Sequence, residues 1–336
     1  MPAGPLALTL GDPAGIGPEI AVKAWQALKA KGPAFVAIGD INALTSASAA
    51  GASIVRRVMS PAEGLAAFKT ALPVLHVPMK GHVIAGQPSK AAAPMIVKAI
   101  ETAVGLALSG AVSGLVTAPI AKAPLYAAGF KFPGHTEFLG ELTAGATYDG
   151  ARGPVMMLTA KDLRCSLVTV HEPLGRAPAL LSVEKIVHVG QVTAHALIRD
   201  FGVAKPRLAV AALNPHAGED GALGREEIDL VAPAVAKLQA AGIDAKGPFP
   251  ADTLFPAETR AGYDAAICLY HDQALIPVKM LDFWGGVNLT LGLPIVRTSP
   301  DHGTAYDIAG KGVARPDSLI AALRLAAAMA ARHAAS

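Results

Sequence analysis

Short apolar runs alternate with longer segments of helical periodicity from end to end of the chain, the pattern of a mostly parallel sheet covered by helices. The runs at 6–10, 34–38, 112–116, 155–158, 166–170, 207–213, 265–270 and 287–296 predict strands. The periodic stretches at 18–30, 91–108, 183–201, 226–240 and 316–331 predict helices. Pro18 and Pro316 suit the first helical position, where a missing N–H costs nothing. Leu319, Leu323 and Ala327 keep one face of the Ala-rich C-terminal segment apolar, so a helix docked on the body is expected there. No internal repeat or low-complexity linker breaks the alternation.

At 336 residues the chain exceeds the usual single-core limit of about 250 to 300, so two domains are expected. Apolar residues make up 52% and aromatics only 5%, which suits closely packed helices and sheets rather than an aromatic-rich β fold. The 29 basic and 26 acidic residues are scattered, without a Lys/Arg cluster interleaved with aromatics. That argues against a nucleic-acid partner and for small, locally bound anions. No window holds 18 uninterrupted apolar residues and the N-terminus lacks a basic leader, so no membrane span is expected and a cytoplasmic protein is. Cys165 and Cys268 lie in apolar strand-like runs and read as buried thiols, not a disulfide.

Three predicted strands deliver a histidine at their carboxyl ends: His171 after 166–170, His216 after 207–213 and His271 after 265–270. In an open α/β sheet that edge is where ligands bind. Three converging imidazoles are candidate ligands for a divalent ion such as Zn²⁺ or Co²⁺ with a position left open for substrate. His188 and His195 lie seven apart on one helix face and read as structural. Phe132-Pro133-Gly134-His135-Thr136-Glu137-Phe138 reads as a turn entering a helix. Thr136 there is either an N-cap or, with His135, a holder of an anionic substrate group at the helix N-terminus.

Lys279, Asn288 and Arg297 are spread through an apolar stretch, where a cation needs a partner. A phosphate or carboxylate of the substrate is one candidate, and an internal salt bridge to Asp282 or Asp301 is the other. Asp252 reads equally well as a ligand contact or an Asx-turn. Gly11-Asp12-Pro13-Ala14-Gly15-Ile16-Gly17-Pro18-Glu19 joins the first strand to the first helix but has Ile20 where a dinucleotide fingerprint requires its third glycine. Cofactor binding is instead expected from the Gly-rich stretch 302–312, where glycines allow close backbone approach and His302, Gly303, Thr304 and Asp307 can read a nucleotide.

The stretch 302–312 resembles the nucleotide-binding loop of the isocitrate and isopropylmalate dehydrogenase superfamily. Together with 11–19, 134–138, His171-Glu172-Pro173-Leu174, Asn214-Pro215-His216-Ala217-Gly218-Glu219, Tyr270-His271-Asp272-Gln273 and 292–301, it resembles the 4-hydroxythreonine-4-phosphate dehydrogenase family of vitamin B6 biosynthesis. The resemblance covers nearly the whole chain. It implies two α/β/α domains of isocitrate/isopropylmalate dehydrogenase type, 1–125 with 297–336 and 126–296, the second carrying the metal ligands and dimer interface and the active site lying in the cleft. It also implies a homodimer with the active site at the subunit interface, using NAD or NADP and a divalent metal (Zn, Co or Mg). His171, His216 and His271 would be metal ligands, one of them from the second subunit. His135, Thr136, Asp252, Lys279, Asn288 and Arg297 would bind a small phosphorylated hydroxy amino acid, with His135 and Lys279 catalytic.

The implied reaction oxidises 4-phosphohydroxy-L-threonine at C3, and the resulting β-keto acid loses carbon dioxide to give 3-amino-2-oxopropyl phosphate. Two rivals remain open from the sequence. One is a dehydrogenase for another phosphorylated hydroxy acid, such as D-erythronate or D-threonate 4-phosphate, or for a cyclic dihydrodiol. The other is a metal-dependent phosphohydrolase that would turn over without nicotinamide.

Overall fold

A computed structural model describes residues 4–47 and 51–333 of the chain. Its strands among these residues are β1 (Leu6–Thr9), β2 (Phe35–Gly39), β3 (Val55–Val58), β4 (Leu72–His76), β5 (Leu115–Thr117), β6 (Val155–Ala160), β7 (Leu163–Leu167), β8 (Arg207–Ala211), β9 (Asp244–Phe249), β10 (Ala265–Cys268), β11 (Val287–Leu291) and β12 (Arg297–Pro300). The chain forms two compact units, Met1–Thr147 with Pro294–Ser336, and Tyr148–Leu293. The first unit therefore takes in residues 126–147 and 294–296, which the resemblance puts in the second.

The first unit holds strands in the order β3-β4-β2-β1-β5-β12, each pair parallel. Its helix Ala93–Leu108 follows the 3₁₀ turn Lys90–Ala92 and turns Met95, Ile96, Ala99, Ile100, Ala103 and Val104 inward. Lys90–Leu108 is long and apolar enough to cross a membrane, yet this buried face is the one that packs on β1 and β2. The expected C-terminal helix is Asp317–His333, which buries Leu319, Leu323 and Ala326, each leucine contributing about 1.5 to 3 kcal/mol.

The second unit orders its strands β11-β6-β7-β10-β8-β9. Strands β7, β10, β8 and β9 are parallel, while β6 runs antiparallel to both neighbours. Helix Val183–Arg199 is capped by Ser182, whose hydroxyl accepts from the Lys185 N–H. Cys165 and Cys268 are buried free thiols on the adjacent strands β7 and β10.

One expectation changes. The apolar run 287–296 is not one strand, because Gly292 turns the chain with φ +71° where a Cβ would lie 2.2 Å from the Gly153 nitrogen. The apolar stretch after His271, for which no element is expected, opens with the helix His271–Leu281, which has Pro277 inside it. Pro277 has no N–H to give the Gln273 carbonyl, so the helix forgoes one ladder bond there.

Candidate functional site

Parallel strands β7, β10 and β8 are neighbours, so the segments leaving their carboxyl ends gather at one edge of the second unit. His171 lies in the irregular segment after β7, and His271 is the first residue of the helix His271–Leu281 behind β10. Their ring centroids are 5.9 Å apart. Two imidazoles bound to one Zn²⁺ at about 2.0 to 2.1 Å place their centres roughly 5 to 6 Å apart, so this spacing fits a shared ion. The His271 Nδ1 sits 2.6 Å from Asp272 Oδ1. A carboxylate only accepts, so Nδ1 carries a proton toward Asp272, and Nε2 is the ring nitrogen that could take a metal.

His216 does not join that pair. It lines an adjoining hollow with Asp252, Asn214 and Gln273, while His171, Glu172, His271 and Asp272 line the next one, and both share Leu174 and Tyr270. Among the described residues no three His, Cys, Asp or Glu side chains can hold a metal ion together. The pair His171–His271 could hold two positions on an ion, and imidazole nitrogens backed by a carboxylate suit a borderline divalent cation.

The backbone around His216 is unusual. His216, Ala217, Gly218, Glu219 and Asp220 all have positive φ, from 43° to 81°, forming a left-handed turn. An L residue in that region costs about 1 to 2 kcal/mol, so the four non-glycine residues need strong support. Glu227 supplies contacts beneath the turn: its Oε1 accepts from the backbone N–H of Leu213 and of Asn214, both at 2.8 Å, and its Oε2 accepts from Asn214 Nδ2 at 3.0 Å. Burial alone would raise the Glu227 pKa, but these donors outweigh it and hold the carboxyl below its usual value. Glu227 also opens a π-helical turn, Glu227–Val231. Nothing in the hydrophobic pattern marked this residue, although two adjacent acids beside Gly224 and close to the His216 motif were visible.

Lys279 lies two helical turns beyond His271, on the same helix, with its ammonium 5.3 Å from the Phe283 ring centroid. Asn288 is on β11, half-buried. Asp252 sits exposed in the helical turn Ala251–Leu254 and shows none of the Asx-turn bonds the sequence allowed.

In the first unit, Arg297 begins β12 and is only 3% exposed. Its Nη2 donates to Thr117 Oγ1 at 2.7 Å, at the end of the neighbouring β5. Burial pushes the guanidinium down to about 10, with the Glu137 carboxylate opposing, so it stays cationic at neutral pH. His135 opens the helix His135–Leu142, for which Gly134 is the N-cap; Thr136, expected as a cap, stands inside the first turn because the helix begins a residue earlier. Burial, then the Arg297 charge, lowers the His135 pKa well below the usual imidazole value. Its Nε2 is enclosed and has no hydrogen-bond partner, a polar atom whose cost a bound ligand would remove.

The Gly-rich loop is held by the segment 11–19. Tyr306 donates to Asp12 Oδ2 at 2.7 Å, and the Ile16 N–H donates to the Thr304 carbonyl at 3.0 Å. Gly15 is required there, since a Cβ would come within 2.8 Å of that same carbonyl oxygen. Glu19 accepts from the Gly312 and Ala314 N–H groups and pairs with Lys23, which donates to the carbonyls of Gly312 and Ala314. Gly303 and Asp307 are exposed on this loop, with His302 and Thr304 half-buried. A pocket beside Gly310 is lined by Gly15, Glu19, Asp40, Asn42 and Met79.

The model of the family described as pyridoxal phosphate biosynthetic protein PdxA matches residues 31–326. A 4-hydroxythreonine-4-phosphate dehydrogenase of Caulobacter vibrioides is 67% identical over 99% of both chains, and one of Maricaulis maris is 58% identical over 97% of both. A crystal structure of 4-hydroxythreonine-4-phosphate dehydrogenase from Klebsiella pneumoniae superposes with a TM-score of 0.85 at 39% identity, covering 98% of this chain and 100% of that one. A terephthalate 1,2-cis-dihydrodiol dehydrogenase from Burkholderia xenovorans superposes with a TM-score of 0.63 at 29% identity, covering 97% and 98%. With the resemblance running through the matched blocks at both ends of the molecule, the chain belongs to the PdxA family of pyridoxal phosphate biosynthetic proteins.

Proposed function

We propose that the chain is a nicotinamide- and divalent-metal-dependent dehydrogenase that oxidises 4-phosphohydroxy-L-threonine at C3 and releases carbon dioxide, giving 3-amino-2-oxopropyl phosphate. The observation that carries this reading is the His171–His271 pair, 5.9 Å between ring centroids, with Asp272 accepting from His271 Nδ1. The names of the relatives support the same substrate. When bound, the metal would polarise the C3 hydroxyl and the later ketone, and the nicotinamide would accept the hydride.

The chain's own residues supply the rest. Arg297, buried, cationic and fixed by Thr117, is suited to a phosphate or carboxylate. His135 stays neutral at physiological pH, so its enclosed Nε2 can take up or donate a proton at the substrate without first shedding charge. Thr136, Asp252, Lys279 and Asn288 complete the proposed substrate contacts, with Lys279 serving in proton movement. His302, Gly303, Thr304 and Asp307 hold the nicotinamide cofactor on a loop that Asp12 and Glu19 keep in shape.

His171 and His271 are two ligands where three are needed, so His216 completes the metal site from a second copy of the chain. The helix His271–Leu281 and the turn after it carry Ile276, Met280, Phe283 and Trp284 outward, with Met280 84% exposed. A patch of this kind, next to His271, is suited to burial against that second copy. The workplace of such a reaction is the cytoplasm.

The test is reduction of NAD and NADP by the purified protein with 4-phosphohydroxy-L-threonine, beside D-erythronate and D-threonate 4-phosphates, with chelator and with added Zn²⁺, Co²⁺ or Mg²⁺. Metal-dependent turnover confined to the amino-acid phosphate is expected. Preference for a sugar-acid phosphate would change the substrate, and phosphate release without nicotinamide reduction would replace the dehydrogenase reading by a phosphohydrolase.

A further inference from the structure

The left-handed turn at His216 differs from the connection between β10 and the helix His271–Leu281, which has no positive-φ residue. In the His216 turn five consecutive residues adopt positive φ, and only Gly218 does so freely. The turn persists because something beneath it fixes its entry. Residues Leu213 and Asn214, between β8 and the turn, give both N–H groups to the same Glu227 oxygen, so neither is available to continue the sheet. Asn214 is then gripped a second time through Nδ2, which donates to Glu227 Oε2 and to Glu226 Oε2 at 2.7 Å.

The fit is close on both sides. A Cβ on Gly218 would lie 2.6 Å from Glu227 Oε2, and one on Gly224 would lie 2.4 Å from Asn214 Nδ2. Glu227 itself is 3% exposed, too far inside to touch a substrate. A buried carboxylate tied to three donors of one short segment is a fastening for that segment.

We infer that Glu227 is a positioning residue: it holds the left-handed turn that presents His216 to the metal. The inference rests on the proposed role of His216 as a metal ligand. Residues behind a ligand fix its approach, and their loss typically lowers metal affinity about 10- to 100-fold. Glu227→Gln keeps Oε1 for the two backbone donors but sets an NH₂ against the Asn214 amide, whereas Glu227→Leu removes both interactions.

The experiment titrates Zn²⁺ into metal-free full-length protein, wild type and the variants Glu227→Gln, Glu227→Leu, Asn214→Ala and His216→Ala, and follows hydrogen exchange of residues 212–223. His216→Ala should lose tight Zn²⁺ binding. Glu227→Leu should bind roughly 10- to 100-fold more weakly, with faster exchange across the turn. Glu227→Gln should fall between it and wild type. Asn214→Ala gives the same direction of change if the buried Glu227 variants do not fold. A role confined to stability would lower the melting temperature and leave Zn²⁺ affinity unchanged, which overturns the inference while His216→Ala still upholds the metal reading. If His216→Ala keeps its Zn²⁺, the metal role of His216 falls, and unchanged exchange in Glu227→Leu would remove the fastening role as well.

Discussion

Nη2 of Arg297 donates a 2.7 Å hydrogen bond to Oγ1 of Thr117, joining the start of β12 to the end of β5. Both residues are buried, and the pairing of Arg297 with Leu115 sets the register that brings them together. Thr117 did not stand out in the sequence, being one more small residue in an apolar strand. Its hydroxyl nevertheless accepts one of the guanidinium's hydrogen bonds.

Thr117→Val keeps the volume and removes the acceptor. A hydrogen bond to a charged group is worth about 1.5 to 3 kcal/mol, so KM for the phosphorylated substrate should rise roughly 10- to 100-fold. Thr117→Ser should restore most of it. Steady-state kinetics of the three proteins decide the matter, and an unchanged KM in Thr117→Val would show that Arg297 is held by other contacts.

His135 makes the fold sensitive to acid. Its native pKa lies well below the value of about 6.5 expected in the unfolded chain, because burial and then Arg297 disfavour the imidazolium. Below about pH 6.5 the unfolded chain binds a proton that the native one refuses, so stability contributed above that pH is lost as pH falls toward the native pKa. Denaturant titrations of wild type and His135→Asn between pH 7 and pH 5 should therefore show the wild type losing more stability than the variant. Parallel curves would mean that His135 does not carry the acid sensitivity.

Much of the architecture could be read from periodicity, and the reasons for the gaps are specific. The interior strands β1, β2, β6, β8 and β10 are apolar on both faces and announced themselves. Edge strands β3 and β9 did not, since Arg56 and Arg57 face outward in one and Gly247 and Pro248 interrupt the other. The histidines were visible because three predicted strands each ended on one. What holds them was not: Asp272 on His271 and Glu227 under the His216 turn act through hydrogen bonds that hydrophobic patterning does not encode.

The Gly-rich loop depends on a contact nearly three hundred residues distant in sequence, Tyr306 to Asp12. Tyr306→Phe leaves the ring in place and deprives the Asp12 carboxylate of a donor. The proposed reading predicts a rise in KM for the nicotinamide cofactor of several-fold, with KM for the phosphorylated substrate little changed, because Arg297 and His135 do not touch this contact. Equal cofactor KM values in the two proteins would separate loop anchoring from cofactor binding.

Met280 tests the proposed second copy most directly. It is the most exposed large apolar side chain of the chain's described residues and lies on the helix that His271 opens, one turn beyond Ile276. A charge there cannot be buried against an apolar partner without a large desolvation cost, while in a monomer it would simply face water. Met280→Glu should therefore elute at about half the apparent mass of the wild type, keep its helical circular dichroism, and bind Zn²⁺ more weakly, because only His171 and His271 remain as ligands. A variant that stays associated and binds the ion normally would move the interface elsewhere, and a wild type that is already monomeric with tight Zn²⁺ binding would require His216 to close on the pair within one chain.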